Sequence, residues 1–457
     1  MRLMTTTRRQ FVGAAASALA APRRTRPNIL FFFPDQHRFD WTGLNPSLGV
    51  RTPNLEALAA RGVWFRRGAV VASPLCAPSR AALASGRDYD RCRVRNNGED
   101  YPLDQPTYHQ ALREAGYHVA GCGKFDFHKK SPIWGLDGKH LLREWGYTDG
   151  IDNAGKGDAI LSGAKEPKDP YMAYLESRGL RLTHVEDFRR RGGVGGYADT
   201  APTPLDDDAY CDNWIGRNAQ SLLGAAPKGR PWFLMLNFTG PHSPMDITRS
   251  MERGLRARKF PGPNRSTEFD AATHLAIRQN YTAMVENIDR WLGVLLDEVR
   301  QRGELDNTLV VYSSDHGDML GDQNRWAKSL PFQASIGVPL AIAGPGVERG
   351  IRSDALVSHI DLAATFLTAA GIQVPKEMDS RPLQPVLTGK ARAHRDYVRS
   401  GLNNWRAVWD GRYKLVRGFH PDRQYLLFDH STDPWENTDI AAGQPDVVER
   451  LKKLLPA

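Results

Sequence analysis

Short runs of continuous hydrophobic residues alternate along this chain with longer segments in which hydrophobic residues recur every three or four positions. The first run, Ile29 to Phe33 in PNILFFFPDQ, is stopped by Pro34. A run that is apolar at every position is typical of a strand covered on both faces, as in a parallel sheet. The three-to-four spacing is typical of a helix with one buried face. The alternation therefore predicts strands of a parallel sheet separated by helices.

The first helix is predicted in RTPNLEALAARGVWF, with Thr52 as its N-cap, Pro53 at its first position and Gly62 closing it. The same alternation of helix and apolar strand returns further along the chain. Strands are predicted at 118–122, 232–238 and 308–312 and in VPLAIAGPG. A helix in SHIDLAATFLTAAGI, near residue 365, closes the series. This order predicts an α/β fold with a doubly wound, mainly parallel sheet and helices on both of its faces.

The C-terminal part has a different pattern. Asp410-Gly411 lies between WRAVW and RYKLV, which predicts a hairpin, and YLLFD predicts a third strand. We therefore expect a catalytic domain over 27–375 and a small subdomain over 376–457, with an antiparallel sheet and a C-terminal helix. The Gly-, Pro- and Asp-rich segment from about 126 to 215 is expected to form long loops over the site.

Polar residues capable of binding a ligand follow four of the predicted strands. They are Asp35 and Gln36; Lys124, Asp126 and His128; His242; and Asp315 and His316. In an open parallel sheet, ligands bind at the carboxyl ends of the strands, where the connecting loops converge. Carboxylate and amide oxygens with one imidazole suit Ca²⁺ or Mg²⁺ better than zinc. The sequence therefore predicts a metal site at this edge of the sheet.

Cys76 is one of only four cysteines, which are Cys76, Cys92, Cys122 and Cys211. The even count would allow two disulfides, but these spacings do not match those of a small disulfide-rich domain. The chain also lacks the C-x-x-C pair that would suggest a zinc site. Cys122 is expected to be a small buried hydrophobic residue. Ser79 and Arg80 follow Cys76 in the first turn of a predicted helix, where free N–H groups and a guanidinium favour an anion. A buried structural cysteine and a thiolate nucleophile remain alternatives.

Composition narrows the class of protein. A chain of 457 residues with 41% hydrophobic and 25% charged residues is typical of a soluble globular protein and excludes fibrous and disordered classes. The net charge of +9 arises largely from arginines within the first 26 residues, so the folded part is only mildly basic. The short run 189–191 adjoins glycines and is expected to be a solvated loop. We expect no nucleic-acid partner, and no apolar run is long enough to span a membrane.

Residues 1–21 have the pattern of a secretory signal of the twin-arginine type. Arg8-Arg9-Gln10-Phe11-Val12 precedes an apolar stretch of small residues that ends at Ala18-Leu19-Ala20. A frayed basic tail is the alternative. The signal predicts export, to a periplasmic or extracellular location.

The segment Cys76-Ala77-Pro78-Ser79-Arg80, continuing AALASGR, resembles the C-x-P-S-R signature of the formylglycine-dependent sulfatases, the type I sulfatases of the alkaline phosphatase superfamily. Companion motifs stand in that family's order: Asp35-Gln36, Gly123-Lys124, Pro241-His242, SDHGDMLGD from Ser314, and Lys328 before VPL. The resemblance runs from about residue 27 to YLLFDHSTDPWENTDIA, which is similar to the family's closing segment.

The resemblance implies a sulfuric ester hydrolase whose Cys76 is oxidised to formylglycine (3-oxoalanine) by a formylglycine-generating enzyme. It implies a cation, Ca²⁺ with Mg²⁺ as the alternative, held by Asp35, Gln36, the modified Cys76, Asp315 and His316. The catalytic residues it implies are Cys76, Arg80, Lys124, His128, His242 and Lys328. The substrate would be a sulfated small molecule or carbohydrate, with the aldehyde hydrate attacking the sulfur.

One departure from the family pattern concerns the base. Many relatives have Lys-x-His, whereas here the run is GKFDFHKK, so Asp126 occupies the usual histidine position. His128, Asp126 and His242 are the candidates for that role. Two other functions stay open. One is a phosphonate monoester or phosphodiester hydrolase, because the same cation and oxyanion-binding side chains fit phosphoryl as well as sulfuryl groups. The other is a non-catalytic binder of sulfated glycans.

Overall fold

The structure is a computed structural model that describes residues 26–456. The strands, in chain order, are β1 (Asn28–Phe32), β2 (Val63–Phe65), β3 (Ala69–Val70), β4 (His118–Gly123), β5 (Asp149–Asp152), β6 (Trp232–Asn237), β7 (Thr308–Tyr312), β8 (Gly337–Val338), β9 (Ala341–Ala343), β10 (Ile351–Ser353), β11 (Val398–Leu402), β12 (Trp405–Trp409), β13 (Tyr413–His420) and β14 (Arg423–Asp429). The α-helices are α1 (Pro53–Ala60), α2 (Cys76–Ser85), α3 (Tyr108–Glu114), α4 (Lys156–Gly163), α5 (Pro170–Ser177), α6 (Arg181–Arg190), α7 (Cys211–Ala225), α8 (Arg249–Glu252), α9 (Ala271–Gln301), α10 (Gln333–Ile336), α11 (Asp361–Ala369), α12 (Gln384–Leu387) and α13 (Pro445–Lys452).

A central sheet of eight strands has the order β10-β2-β9-β7-β1-β6-β4-β5. Its neighbouring strands pair in parallel except where β9 pairs with β7 and with β2. The α/β fold class with a mainly parallel sheet is therefore confirmed, and β9, in the predicted VPLAIAGPG strand, is its antiparallel member.

The central strand β1 explains why its sequence is apolar at every position. Ile29 and Phe31 belong to the core shared with α2, α3 and α11, whereas Leu30 and Phe32 belong to the core shared with α1, α7 and α9. Because successive side chains of a strand point to opposite faces, both faces of β1 are buried.

The same sheet brings four strand ends together. In register, Phe32 of β1 pairs with Leu236 of β6 and with Tyr312 of β7, and Leu236 pairs with Cys122 of β4. These four strands are parallel neighbours and end at the same level. The loops that follow them must therefore meet at one edge.

The C-terminal sheet has four antiparallel strands, β11 to β14. The predicted hairpin and C-terminal helix are both present, but β11 precedes the hairpin, so YLLFD lies in the fourth strand. Val408, Leu415 and Leu427 pack on the helix α13, whereas Val416 and Phe428 face the large core. The domain boundaries at 375 and 376 stay a prediction.

Two local predictions were wrong. The segment from 126 to 215 contains β5, α4, α5 and α6 rather than only long loops. Its helices have many charged and few apolar positions, so their hydrophobic periodicity is weak in the sequence. Arg190 ends α6, and Arg191 is buried against Asp187 at 2.9 Å instead of lying in a solvated loop. Thr52 is the N-cap residue of α1 and Pro53 its first residue, as predicted, but the side chain of Thr52 makes no capping hydrogen bond.

Asp289 provides that cap instead. Its carboxylate accepts the backbone N–H of Leu55 at 2.8 Å and of Asn54 at 3.1 Å. Within residues 26–456, no helix combines the length and apolarity that a bilayer crossing requires. The predicted signal over 1–21 lies outside the described residues.

Candidate active site

Cys76 is the first residue of α2, a helix in which all ten residues are buried. Its Sγ lies 3.2 Å from Nε2 of His316, 3.2 Å from Nζ of Lys328 and 3.8 Å from Oδ1 of Asp35. The structure therefore places Cys76 where the loops after β1 and β7 meet the N-terminus of α2.

Four side chains at this point have the arrangement of a metal site. One ligand atom each from Asp35, Cys76, Asp315 and His316 lies within 4.8 Å of the others, and all four residues are buried. Nδ1 of His316 donates to the carbonyl of Gly317 at 3.1 Å, which directs the lone pair of Nε2 toward the cluster. Carboxylate oxygens with one imidazole could hold a hard divalent cation.

Arg80 lies one turn after Cys76, and two of its three guanidinium nitrogens, Nε and Nη1, are hydrogen-bonded. Its Nε donates to Asp315 at 2.9 Å, and its Nη1 donates to the carbonyl of Lys124 at 2.6 Å and to Oδ1 of Asn237 at 3.0 Å. Its Nη2 is buried and has no hydrogen-bond partner among the described residues. An unpaired buried N–H of a guanidinium is costly, so this group is suited to an anionic ligand.

Lys328 and His242 form a second pair beside Cys76. Nδ1 of His242 donates to the carbonyl of Ser243 at 2.6 Å, so its Nε2 accepts from Nζ of Lys328, 2.6 Å away. Burial, together with the charge of Lys328, holds the pKa of His242 well below its ordinary value. The imidazole is therefore held in its neutral form, with Nε2 as the acceptor of the Lys328 hydrogen bond.

Lys124 follows β4 directly and forms ion pairs with Asp35 and, at 3.1 Å, with Asp126. Gly123 before it has φ 106°, and a Cβ there would lie 2.0 Å from the carbonyl oxygen of Asn237. Glycine therefore allows the chain to turn Lys124 into the site. Burial alone would raise the pKa of Asp35, but the charges of Lys124 and Lys328 outweigh it and hold that pKa well below its usual range.

The cations also act on the thiol of Cys76. Burial and the charge of Asp35 raise its pKa, but Lys124, Lys328 and His316 outweigh them and lower it to about 7. The other three cysteines are free and buried, and the pKa of each is raised, by burial first. Among the cysteines, Cys76 thus has the surroundings that stabilise an anion.

Residues 27–372 match the family model Sulfatase, and residues 321–456 match the model N-sulphoglucosamine sulphohydrolase, C-terminal. The chain belongs to the sulfatase family of the alkaline phosphatase superfamily. It is an enzyme that hydrolyses sulfate esters, which sets the binder alternative aside.

Curated relatives are similar over nearly the whole chain. A choline-sulfatase of Rhizobium meliloti is 27% identical over 93% of this chain and 84% of its own length. An arylsulfatase of Clostridium perfringens is 25% identical over 94% of both chains. Among solved structures, a phosphonate monoester hydrolase from Silicibacter pomeroyi has a TM-score of 0.77 at 23% identity, covering 94% of both chains. A different protein, solved in complex with its substrate D-glucosamine-2-N,6-O-disulfate, has a TM-score of 0.73 at 19% identity, covering 94% of this chain and 97% of that one.

Two of the predicted site residues of this sulfatase, Gln36 and His128, form side-chain hydrogen bonds with residues outside the cluster of Asp35, Cys76, Asp315 and His316. The amide nitrogen of Gln36 donates to Asp318 at 2.5 Å and to the hydroxyl of Tyr197 at 3.1 Å, while its oxygen accepts from Lys328 at 2.9 Å. His128 is hydrogen-bonded through Nε2 to Asp152 at 2.8 Å and through Nδ1 to the carbonyl of Ser131 at 2.9 Å. Both nitrogens of His128 are therefore engaged, and its catalytic role stays a prediction.

Sequence reasoning missed several residues that shape the site of this sulfatase. Asn237, the last residue of β6, contacts Arg80 and could have been found by the rule that points to strand ends. Oδ1 of Asn97 accepts the N–H of Ala77 at 3.1 Å, and Nε2 of His359 donates to the carbonyl of Ser79 at 3.0 Å. Asn97 comes from a loop without a recognisable signal, and His359 comes from the turn directly before α11, where the sequence predicted only a helix.

Proposed function

We propose that this sulfatase removes sulfate from a sulfated small molecule or carbohydrate by means of a formylglycine formed from Cys76 and a bound divalent cation, Ca²⁺ or Mg²⁺. The observation that carries the proposal is the position of Cys76: it opens α2 within the C-x-P-S-R motif and lies 3.2 Å from both His316 and Lys328. The maturation would require a formylglycine-generating enzyme.

The residues present fit both groups. Asp35, Asp315 and His316 would hold the cation, with residue 76 completing the set and the amide oxygen of Gln36 beside it. The unpaired Nη2 of Arg80 is suited to an anionic oxygen near residue 76. When in place, formylglycine and the cation supply a hydroxyl at residue 76 that is activated for attack on sulfur.

The chain's own side chains would bind and neutralise the sulfate group. Lys124, Lys328 and Arg80 approach the same point from β4, from the loop after β7 and from α2. Because Lys124 and Arg80 are buried and Lys328 is half-buried, their attraction for the negative charge that grows in the transition state is weakly screened. They would orient the ester so that the alcohol oxygen leaves opposite residue 76.

His242 and Lys328 would move the protons. Lys328 donates to Nε2 of His242 in the structure, so the pair can supply a proton to the departing alcohol oxygen and recover one afterwards. Asp126 is the weaker candidate for the base, because Lys124 and Lys129 hold its pKa low against the effect of burial.

Mass analysis of the peptide that contains Cys76 tests the proposal. In protein produced with the maturing enzyme, we expect the mass loss that accompanies exchange of the thiol for an aldehyde, together with hydrolysis of aryl sulfates or sulfated sugars. Removal of divalent cations with a chelator should abolish turnover, and added Ca²⁺ should restore it. Full activity with an unchanged cysteine would contradict the proposal.

A phosphonate monoester hydrolase is the second candidate, because two solved phosphonate monoester hydrolases have TM-scores of 0.75 and 0.77 with this chain. Steady-state rates on paired aryl sulfate and aryl phosphonate esters separate the two. We expect faster turnover of the sulfate, and the reverse order would favour the second candidate.

We also propose that the protein is exported by the twin-arginine route. The support is the motif Arg8-Arg9-Gln10-Phe11-Val12 followed by a short apolar stretch. Replacing Arg8 and Arg9 by lysine should leave the protein inside the cell. Export that is unaffected by this change would contradict the proposal.

A further inference from the structure

The loop that carries Lys328 has a backbone conformation that needs support. Ala327 has φ 57° and Ser329 has φ 74°, so the residues on both sides of Lys328 lie in the left-handed region. Residues other than glycine occupy this region at a cost, and they do so where the surroundings fix the chain.

Part of that support comes from the active-site side. The N–H of Ser329 donates to the carbonyl of Pro74 at 3.0 Å, and the carbonyl of Ala327 accepts the N–H of Met319 at 2.8 Å. The first contact joins the loop to the segment that leads into Cys76. The position of Ser329 therefore sets the distance between Lys328 and residue 76.

The remaining support comes from the C-terminal sheet. The indole N–H of Trp405, in β12, donates to the carbonyl of Ser329 at 3.2 Å. Lys414, in β13, donates through Nζ to the carbonyl of Pro331 at 3.3 Å. Oε2 of Glu436 accepts the backbone N–H of Gln333 at 2.6 Å. Three side chains from the C-terminal part thus bind the backbone of one short loop.

Lys414 and Glu436 are themselves a buried ion pair. Their charged atoms are 2.5 Å apart, and the side chains are 0% and 2% exposed. Nζ of Lys414 also donates to Oε1 of Gln333 at 3.1 Å, and Nε2 of His430 lies 3.0 Å from Oε1 of Glu436. Because replacing such a pair by apolar residues is often neutral for stability, its value for folding alone is small.

We infer that Lys414 and Glu436 are positioning residues for Lys328: the pair fixes Pro331 and Gln333 and so holds the Lys328 ammonium against residue 76. The inference rests on the proposed function, in which Lys328 binds the sulfate group. It makes the C-terminal sheet a part of the catalytic apparatus, although none of its residues has to touch the substrate.

A double-mutant cycle distinguishes positioning from a purely structural role. The clamp variant is Lys414→Met with Glu436→Met, measured with Lys328 intact and again in a Lys328→Met background. With Lys328 intact we expect kcat/KM for 4-nitrophenyl sulfate to fall by about 10-fold or more, and in the Lys328→Met background by less than about twofold. Inorganic sulfate, as a competitive inhibitor, should bind the clamp variant more weakly in the same pattern.

The matched control is Arg302→Met with Glu304→Met. This ion pair, at 2.7 Å, lies at the end of α9, next to the start of β7 and away from the carboxyl edge. We expect kcat/KM within about twofold of the wild type even if Tm falls. If the clamp variant does not fold, Trp405→Phe removes the hydrogen bond to Ser329 while keeping most of the ring, and should show a smaller loss with the same dependence on Lys328.

The outcomes separate the two proposals. A wild type that hydrolyses sulfate esters while the clamp variant loses activity equally in both backgrounds, or loses none, overturns the positioning role. A matured wild type that hydrolyses no sulfate ester overturns the proposed function itself. Loss of activity confined to the background with Lys328 supports both.

Discussion

Two lysines, the half-buried Lys328 and the fully buried Lys414, show how the same side chain serves two purposes in this molecule. Lys414 is paired with the carboxylate of Glu436 at 2.5 Å and donates to two further oxygens. Lys328 contacts the amide oxygen of Gln36, the thiol of Cys76 and the imidazole of His242, none of which is a carboxylate.

The difference lies in the balance of charge. A buried cation matched by a carboxylate and by carbonyl groups is complete without a ligand, and it fixes the backbone around it. A cation whose direct hydrogen-bond partners are neutral groups and a thiol attracts a further anion. The comparison therefore predicts that changes at Lys328 alter turnover more than stability, and that breaking the Lys414–Glu436 pair by removing one partner lowers stability in addition to its effect on turnover.

The largest effect is expected for Cys76→Ala. We expect kcat/KM to fall by at least about 10⁴-fold, because the nucleophile is lost. The measurement is steady-state turnover of an aryl sulfate by matured enzyme. Cys122→Ala is the matched control, since Cys122 is equally buried and contacts the carbonyl of Ile215. Retention of full turnover by Cys76→Ala would refute the proposed chemistry.

Breaking the balanced pair should have the next largest effect, now on stability. Glu436→Gln leaves the ammonium of Lys414 buried without its counter-charge, and we expect unfolding to cost about 3–5 kcal/mol less. Denaturant unfolding at neutral pH measures it. The double variant Lys414→Met with Glu436→Met should lose much less, and a Glu436→Gln variant as stable as the wild type would contradict the comparison.

The unbalanced lysine should behave in the opposite way. For Lys328→Met we expect kcat/KM to fall by about 10²- to 10³-fold, because the charge on the transferring group is no longer neutralised. The free energy of unfolding should change less than for Glu436→Gln, because Lys328 is only half-buried and has no carboxylate among its direct hydrogen-bond partners. A marked loss of stability without loss of turnover would reverse the assignment of the two lysines.

The pH dependence of stability follows from Glu436. Burial alone would raise its pKa, but Lys414 and His430 hold it at about 2, below the ordinary value of 4.5 for a glutamate. The stabilisation is therefore complete above the pKa of the unfolded state and is lost as the pH falls toward 2. The stability difference between the wild type and Glu436→Gln should shrink by up to about 3 kcal/mol over that range. A stability difference that does not change with pH would contradict the lowered pKa of Glu436 in the folded protein.

The smallest effect is expected at an exposed pair that joins α13 to the turn between β12 and β13. Arg450 donates to Asp410 at 2.7 Å, but its side chain is 52% exposed. We expect Arg450→Gln to change the free energy of unfolding by at most about 0.5 kcal/mol, since solvent and salt screen such pairs. A loss similar to that of Glu436→Gln would mean that burial is not what distinguishes the two.

The sequence by itself determined the α/β class, the strands β1, β4, β6 and β7, and the polar residues that follow them. These features are local: strand periodicity and the residue after a strand can be read from the chain, and parallel order brings such residues to one edge. The motif around Cys76 is local for the same reason. Hidden from this reading were the charged helices between 126 and 215, where apolar positions are few.

Only the tertiary structure decided which side chains meet. Asn237, His359 and Glu436 reach the site or its supporting loop from distant parts of the chain, and the ring nitrogens of His128 are engaged with Ser131 and Asp152. The partner of a buried charge is chosen by packing and desolvation across the whole fold, not by neighbours in sequence. For that reason the sequence could name Lys328, whereas its support by the C-terminal sheet became visible only in three dimensions.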